Sequence, residues 1–205
     1  MSFDAESILE FWFADSALTP EGYEVRKELW FSVNEEFDSE IRRRFESQIQ
    51  AAAELSKSGL SSNARHNLAR IIATDQFPRN VYRGTAQAFA YDSFALSVTK
   101  GMIESGMHEQ LSYVERMFVY MPLEHSECLD MQVLSVKMFE ALVASEDNQF
   151  ESDSSESVWY AHLHKEIIEK FGRFPHRNEI LGRESTAEEI EYLASSPENF
   201  GQVKV

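Results

Sequence analysis

Apolar residues recur every three or four positions along most of the chain, which is the spacing of one face of an α-helix. The pattern is clearest over residues 35–56, where the opposite face is charged. Its apolar face consists of Phe37, Ile41, Phe45, Ile49 and Ala52. Asn34 stands immediately before this segment and can cap its first turn. No stretch alternates apolar and polar residues as a half-exposed β-strand does, so the pattern predicts an all-α chain.

The same spacing predicts further helices on both sides of this segment. They cover residues 4–14, 21–31, 62–75, 86–103, 113–121, 124–145, 158–171 and a stretch that ends near Ser195. The first of them is apolar on more than one side, so we expect it to be buried. About nine or ten helices joined by short loops are typical of a tetratricopeptide-like stack of antiparallel helical hairpins.

Prolines and charged residues set the expected breaks between these helices. We expect the Phe77-Pro78 step to end one helix, because the residue before a proline is disfavoured in the α conformation. We expect Pro122 to interrupt another helix. Residues 145–157 are acidic and rich in serine, and we expect a solvated loop there. Since this loop is short, we expect residues 1–205 to form a single domain.

The composition indicates a packed core and argues against two classes of binding partner. Hydrophobic residues make up 43% of the 205 residues, while 8 Gly and 5 Pro are too few for a turn-rich β fold. The formal net charge of -16 argues against a nucleic-acid binder, which needs a basic surface. It also argues against docking on anionic membranes. We therefore expect neither nucleic acid nor membrane as a partner.

The cysteine content and the start of the chain predict a cytoplasmic location. Cys128 is the single cysteine, so no internal disulfide can form, which fits a reducing compartment. We see no basic leader at the start of the chain and no apolar run long enough to span a bilayer.

A short motif occurs twice in the chain. The first copy has Phe-Pro-Arg-Asn at 77–80 followed by Arg83-Gly84 and Thr85-Ala86; the second has Phe-Pro-His-Arg-Asn at 174–178 followed by Gly182-Arg183 and Thr186-Ala187. An apolar helix end precedes each copy. After the second copy, Ser185 and Glu188 have the spacing of a capping box. The repeat indicates two related halves with equivalent corners.

The composition of these loops has two interpretations. In the structural one, Phe anchors the corner, Pro stops the helix, and Arg interacts with the last helical carbonyl groups, where positive charge is favoured. In the functional one, the loop arginines line an anion-binding cleft, since each loop also precedes a helix N-terminus. The arginines concerned are Arg79, Arg83, Arg173, Arg177 and Arg183.

A second group of polar residues lies in the segment 121–127. Glu124 and His125 place a carboxylate and an imidazole at a predicted helix start, where either could act as a general acid or base. Glutamates at a helix start also act as simple caps. His162 and His164 lie on a later helix, but no spacing matches a strong metal signature. We predict no metal site, and no cofactor, since no glycine-rich phosphate loop is visible.

Taken together, these motifs resemble one protein family. The matching stretches are Asp75-Gln76-Phe77-Pro78-Arg79-Asn80, Tyr82-Arg83-Gly84-Thr85, Met121-Pro122-Leu123-Glu124-His125-Ser126-Glu127 and Gly172-Arg173-Phe174-Pro175-His176-Arg177-Asn178. The family is mainly bacterial and is classified as domain of unknown function nine-two-four. The resemblance covers nearly the whole chain and implies an all-α, tetratricopeptide-like fold. It implies no activity, substrate or catalytic residue.

Three hypotheses for the function follow. In the first, the chain is a binding module whose groove holds an anionic small molecule or an acidic peptide end. Its ligand-binding residues would be Arg79, Asn80, Arg83, Arg116, Arg173, His176, Arg177 and Asn178. In the second, it is an enzyme in which Glu124 or His125 is the general acid or base and the arginines stabilise developing negative charge. In the third, the loops only brace corners and a protein partner binds elsewhere. A closed pocket around Glu124 or His125 would favour the enzyme, and an open groove would favour a peptide scaffold.

Overall fold

The computed structural model describes residues 3–14, 19–145 and 150–195, and for residues 151–155 it describes the backbone alone. These residues form ten α-helices and no β-strand, which confirms the predicted all-α fold. The helices are α1 (Ala5–Phe13), α2 (Pro20–Phe31), α3 (Glu35–Ser56), α4 (Ala64–Ile71), α5 (Phe77–Val81), α6 (Asp92–Glu104), α7 (Tyr113–Glu124), α8 (Leu129–Val143), α9 (Glu151–Phe171) and α10 (Ala187–Ser195). In these parts of the chain, no helix combines the length and the apolarity needed to cross a membrane.

The core is built around the aromatic residues of α1. The ring centroid of Trp12 lies 5.7 Å from that of Phe77 in α5 and 5.6 Å from that of Phe118 in α7. Trp30 of α2 donates a hydrogen bond of 3.0 Å from Nε1 to the carbonyl oxygen of Trp12. Because α1 is buried between these helices, as its apolar pattern predicts, it holds α2, α5 and α7 in fixed positions. Further along the chain, α6, α7, α8 and α9 each pack against the next.

The chain stays helical through the Phe77-Pro78 step, so the predicted helix end there is wrong. A π-helical turn, Ile72–Gln76, joins α4 to α5, and residues 64–81 form one continuous helix. Pro78 lies in the first turn of α5, directly after the π-helical turn. The wider turn accommodates the proline ring, which a regular helix interior does not.

Helix α7 also differs from the expectation, because it runs through Pro122 and ends at Glu124. Gln132 of α8 supplies hydrogen bonds that complete this helix end. Its Nε2 donates to the carbonyl oxygens of Leu123, Glu124 and Ser126, at 3.3, 2.7 and 2.6 Å. Gln132 therefore supplies a donor to the last carbonyl group of α7, that of Glu124. Consequently Glu124 and His125 lie at a helix C-terminus and not at the predicted helix start.

The expected acidic loop over 145–157 is shorter than predicted. Helix α9 begins at Glu151, so the later part of that segment is helical, and residues 146–149 lie outside the described residues. Acidic residues are favourable near a helix N-terminus, because the free N–H groups there carry partial positive charge. The composition of this segment therefore suits a helix start as well as a loop.

Two predicted helix starts are displaced along the chain. The predicted helix 86–103 begins as a 3-10 turn, Ala86–Phe89, and continues as α6 only from Asp92. The capping box of α10 pairs Thr186 with Glu189, one residue later than predicted. The Thr186 N–H donates to Glu189 Oε2 at 2.7 Å, and the Glu189 N–H donates to Thr186 Oγ1 at 3.2 Å.

Candidate functional site

A cavity of about 440 Å³ lies where α2, the end of α5, the end of α7, α9 and the second Phe-Pro loop meet. Its polar wall contains Arg79, Asn80, Arg83, Glu124, His125, His164, His176 and Arg177. Its apolar wall contains Trp30, Phe31, Phe89, Met117, Met121 and Phe139. A concave site of this size, with an apolar lining and a few convergent polar groups, has the properties of a small-molecule site.

The two copies of the repeated loop meet at this cavity. Arg79 and Arg177 each precede the asparagine of their motif, and both reach Asp92 at the start of α6. Arg79 binds Asp92 with both terminal nitrogens, at 2.8 and 3.0 Å. Arg177 Nη1 lies 3.7 Å from Asp92 Oδ2. The predicted related corners are therefore neighbours in space.

Three of the other loop arginines each form a two-pronged pair with a carboxylate. The pairs are Arg83–Asp38 at 2.9 and 3.0 Å, Arg173–Glu189 at 2.7 and 2.8 Å, and Arg183–Glu127 at 2.8 and 3.0 Å. Asn80 Nδ2 donates to Asp38 at 2.7 Å, and Asn178 Nδ2 donates to Ser185 Oγ at 3.0 Å. Such two-pronged pairs fix side-chain orientation as well as charge. These residues brace the corners, as the structural interpretation predicts.

Arg177 has a different environment. Its guanidinium carbon lies 4.6 Å from the ring centroid of Phe89 and 4.4 Å from that of Phe174. Nη1 donates to the carbonyl oxygen of His125 at 3.0 Å. Nε is buried and has no hydrogen-bond partner among the described residues; the Nε of Arg183 is also unpaired, but Arg183 does not line the cavity. Burial lowers the pKa of Arg177 to about 10, so the guanidinium is charged at neutral pH but incompletely compensated.

Three residues predicted to bind ligand lie away from the cavity, namely Arg116, Arg173 and Asn178. On α7 the cavity face consists of Met117, Met121 and Glu124, which are spaced four and three residues apart. One residue corresponds to a rotation of about 100° around a helix. Arg116 therefore projects from a different side of α7 than Met117.

The π-helical turn positions a carboxylate beside His125. Asp75 is fully buried, and both of its carboxylate oxygens lie within hydrogen-bond distance of His125 Nδ1, at 2.8 and 3.0 Å. Gln76 Nε2 donates to Asp75 at 2.6 Å, and Arg79 Nη1 lies 3.2 Å from it. Burial opposes ionisation of Asp75, but the charge of Arg79 and the interactions with His125 and Gln76 outweigh it and hold its pKa at about 2. Many π-helical turns occur at functional sites.

His125 is a neutral base held in one tautomer. Burial, with the nearby charge of Arg79, lowers the pKa of His125 despite the attraction of Asp75. In the neutral ring, Nδ1 carries the proton that is donated to the Asp75 carboxylate. Nε2 therefore keeps its lone pair, and His125 is one of the residues that line the cavity.

Glu124 is a buried acid with an unsatisfied oxygen. Its Oε1 has no hydrogen-bond partner among the described residues, and His164 Nδ1 lies 3.8 Å from it. Burial and the negative charge of Asp75 raise the pKa of Glu124 to about 8. The C-terminus of α7 acts in the same direction, because its carbonyl groups carry partial negative charge. At neutral pH Glu124 is therefore a protonated carboxylic acid.

Two further histidines line the cavity as neutral side chains. Burial lowers the pKa of His164 to about 3, and its Nδ1 donates to the carbonyl oxygen of Tyr160 at 2.8 Å. Burial and the charge of Arg177 lower the pKa of His176 to about 2. Within the described ranges, no three or more His, Cys, Asp and Glu side chains are arranged to hold a metal ion.

The sequence predicted Glu124, His125 and Arg177 as site residues. It did not reveal Asp75, Asp92 and Phe89, which contact these residues or shift their pKa values. Asp75 stands two residues before the first copy of the repeated motif, so a carboxylate directly before Gln-Phe-Pro was an available signal. Asp92 and Phe89 carry no local signal, since they reach the cavity only through packing of the region before α6 against the second loop.

Comparisons with known proteins agree with the resemblance of the loop motifs. Residues 8–197 match the family described as bacterial protein of unknown function, DUF924. A solved structure of a protein of unknown function from Agrobacterium tumefaciens is 32% identical, with a TM-score of 0.78, over 94% of this chain and 97% of that chain. A comparison with curated proteins gives no match. Since the family match spans most of the sequence, the chain belongs to the DUF924 family of bacterial proteins of unknown function.

Proposed function

We propose that the protein binds a small amphipathic anion in this cavity, with a carboxylate or similar group at Arg177. The observation that carries the proposal is the buried Nε of Arg177, which has no hydrogen-bond partner among the described residues. A buried donor left unpaired costs about 1–3 kcal/mol. An anionic oxygen at this position would remove that cost through a charge-assisted hydrogen bond.

The charges around the cavity favour an anion over a cation. Glu124, His164 and His176 are neutral at neutral pH. The carboxylates of Asp75 and Asp92 both contact Arg79. Arg177 therefore keeps the least compensated charge of the cavity's polar wall, and a negatively charged ligand would complete its countercharge.

The apolar wall and the size of the cavity favour a small molecule over an acidic peptide. A volume of about 440 Å³ falls within the range of small-molecule sites. Trp30, Met117 and Phe139 offer apolar surface for a hydrocarbon or aromatic part. An acidic peptide would bring more negative charge towards a chain with a net charge of -16, which repels it at long range.

A thermal-shift comparison of matched ligands tests the proposal. The panel contains carboxylates with apolar tails of increasing length and the uncharged amide of each. A carboxylate at about one hundred times its dissociation constant adds roughly 2.7 kcal/mol to the free energy of unfolding, which raises the melting temperature. We expect carboxylates to raise it and their amides to have little effect. Equal effects of both series would contradict the role of charge.

The substitution Arg177→Gln tests the position of the anion. We expect it to weaken carboxylate binding by about 2 kcal/mol, or roughly 30-fold, because a charged hydrogen bond is lost. Its effect on stability should be small, since a poorly compensated buried charge is removed.

The matched control is Arg173→Gln, which leaves the buried carboxylate of Glu189 without its partner. We expect this variant to lose stability and to bind carboxylates as the wild type does. The reverse result, with binding lost in Arg173→Gln and kept in Arg177→Gln, would contradict the assignment.

We also propose that the helices form tetratricopeptide-like hairpins and that the protein is cytoplasmic. The packing of α6 to α9 in chain order supports the first proposal. The exposed free thiol of Cys128 supports the second, because such thiols persist in reducing compartments.

A further inference from the structure

We propose that the cavity is an active site in which His125 removes a proton from a carbon next to a carbonyl group and Glu124 delivers a proton to the carbonyl oxygen. This inference rests on the proposed function, because the anion held at Arg177 is the carboxylate of the substrate. The substrate class is an α-keto carboxylate with an apolar tail. The reaction class is proton transfer between carbon and oxygen, which interconverts a ketone and its enol.

The base is positioned by contacts on its other nitrogen. His125 Nδ1 lies 2.8 and 3.0 Å from the two oxygens of Asp75, and Asp75 is held in turn by Gln76 and Arg79. These contacts fix the ring orientation and the tautomer, so that Nε2 keeps its lone pair. Asp75 acts through His125 and is a positioning residue.

The acid differs from a structural glutamate in its lack of partners. The five loop-region carboxylates Asp38, Asp75, Asp92, Glu127 and Glu189 each bind an arginine. Glu124 is buried but has no arginine partner, and its Oε1 forms no hydrogen bond among the described residues. A carboxylic acid in this state can donate its proton to a ligand oxygen.

The placement of these three residues at one cavity favours a substrate with a keto group next to its carboxylate. Arg177 Nη1 donates to the carbonyl oxygen of His125 at 3.0 Å, and Glu124 is the preceding residue. The residues that supply the anion site, the base and the acid therefore line the same cavity. A substrate must carry its carboxylate and carbonyl close together to engage all three, and an α-keto carboxylate does so.

The step balances without a cofactor or a second substrate. The lone pair of His125 Nε2 takes the proton from the carbon, and the electron pair of that C–H bond forms the carbon–carbon double bond of the enol. The carbonyl oxygen takes the proton of Glu124. This leaves Glu124 as a carboxylate and His125 as an imidazolium. The reverse step returns both protons, and no group is oxidised or reduced.

Hydrogen exchange in D2O tests this step directly. The probe is α-ketoisocaproate, whose methylene protons next to the keto group are followed by proton NMR with the full-length protein. The imidazolium exchanges its proton with solvent, so each return step places deuterium on the carbon. We expect wild-type protein to accelerate loss of the methylene signal by about 100-fold or more over buffer, the contribution typical of general acid–base catalysis.

Variants separate catalysis from binding. Glu124→Gln and His125→Asn should lose the exchange while α-ketoisocaproate still raises the melting temperature. The control His162→Asn removes an exposed imidazole that pairs with Glu140 and does not line the cavity, and it should keep wild-type exchange. Circular dichroism of each variant checks that it is folded.

The possible negative results distinguish a failure of proton transfer from a failure of anion binding. If α-ketoisocaproate and its non-keto analogue isocaproate both raise the melting temperature but exchange stays at the rate in buffer, proton transfer is wrong and anion binding stands. Wild-type exchange rates in Glu124→Gln and His125→Asn would also overturn the catalytic roles. If neither acid raises the melting temperature of the wild type, the proposed function is contradicted and the inference fails with it.

Discussion

At the scale of single residues, two side chains in the cavity have unusual charge states. Glu124 stays protonated, and the positive charge of Arg177 is only partly balanced by nearby carboxylates. Glu124 lies at a helix C-terminus and near the negative charge of Asp75, and it forms no ion pair with an arginine among the described residues. Arg177 lies between two phenylalanine rings, with Nε buried and unpaired. Both arrangements cost free energy. A site that binds an anion and moves a proton would recover that cost when its ligand is present.

The substitution Glu124→Gln tests the protonation of the acid through stability. The folded-state pKa of about 8 is above the ordinary value of 4.5, so the folded protein binds this proton more tightly than the unfolded chain. Wild-type stability should therefore fall as the pH rises from 4.5 to 8. The glutamine cannot ionise, so its advantage over the wild type should grow across this range, by on the order of 4 kcal/mol. Urea denaturation at several pH values measures the difference.

The substitution Glu127→Gln is a control for which we expect the opposite dependence of stability on pH. Although burial opposes it, the hydrogen bond from Arg183 lowers the pKa of Glu127, so its contribution to stability is present at neutral pH and is lost on acidification. Glu127→Gln should therefore be less stable than the wild type at pH 8, and the difference should shrink in acid. The account of Glu124 is contradicted if both variants show the same trend with pH.

At the scale of helices, periodicity predicted most segments but not their continuity. The apolar stripe over residues 35–56 and its cap at Asn34 predicted α3, since both are local properties of the sequence. The continuation through Pro78 depends on a π-helical turn, and after Pro122 Gln132 of another helix donates to the carbonyl groups at the end of α7. Such partners come from tertiary packing, so a local rule for proline could not predict them. The same continuation placed Glu124 at a helix end instead of a helix start.

The substitution Gln132→Leu tests how α8 holds the end of α7. Gln132 is fully buried and donates to three carbonyl groups there. Loss of these bonds leaves buried acceptors unpaired, and we expect a loss of roughly 2–3 kcal/mol in the free energy of unfolding. Denaturant titration measures it. Because the end of α7 carries Glu124 and His125, carboxylate binding should weaken as well.

Ser135 gives a matched control on the same helix. It is also fully buried, but its hydroxyl has no hydrogen-bond partner among the described residues. Ser135→Ala removes an unpaired polar group, so stability should stay the same or rise. Equal losses in Gln132→Leu and Ser135→Ala would show that any change in α8 disturbs the protein, and would contradict a specific role for Gln132.

At the scale of the whole molecule, the repeated motif brings two distant loops to one cavity. The sequence predicted equivalent corners, but their meeting at Asp92 depends on how the helices between them pack. The structure also separates the two interpretations of the loop arginines. Arg83, Arg173 and Arg183 each form a two-pronged carboxylate pair, whereas Arg177 forms none and lines the cavity with its Nε unpaired. Residue type and spacing are the same for both roles, so only the partners distinguish them.

A crystal structure of the protein with an amphipathic carboxylate, such as α-ketoisocaproate, tests the central claim most directly. We expect a carboxylate oxygen about 2.7–2.9 Å from Arg177 Nε, the usual length of a charged hydrogen bond. We expect the hydrocarbon tail to contact Trp30, Met117 or Phe139. A carboxylate bound at another arginine, with the cavity unoccupied, would contradict the assignment of Arg177 as the anion site.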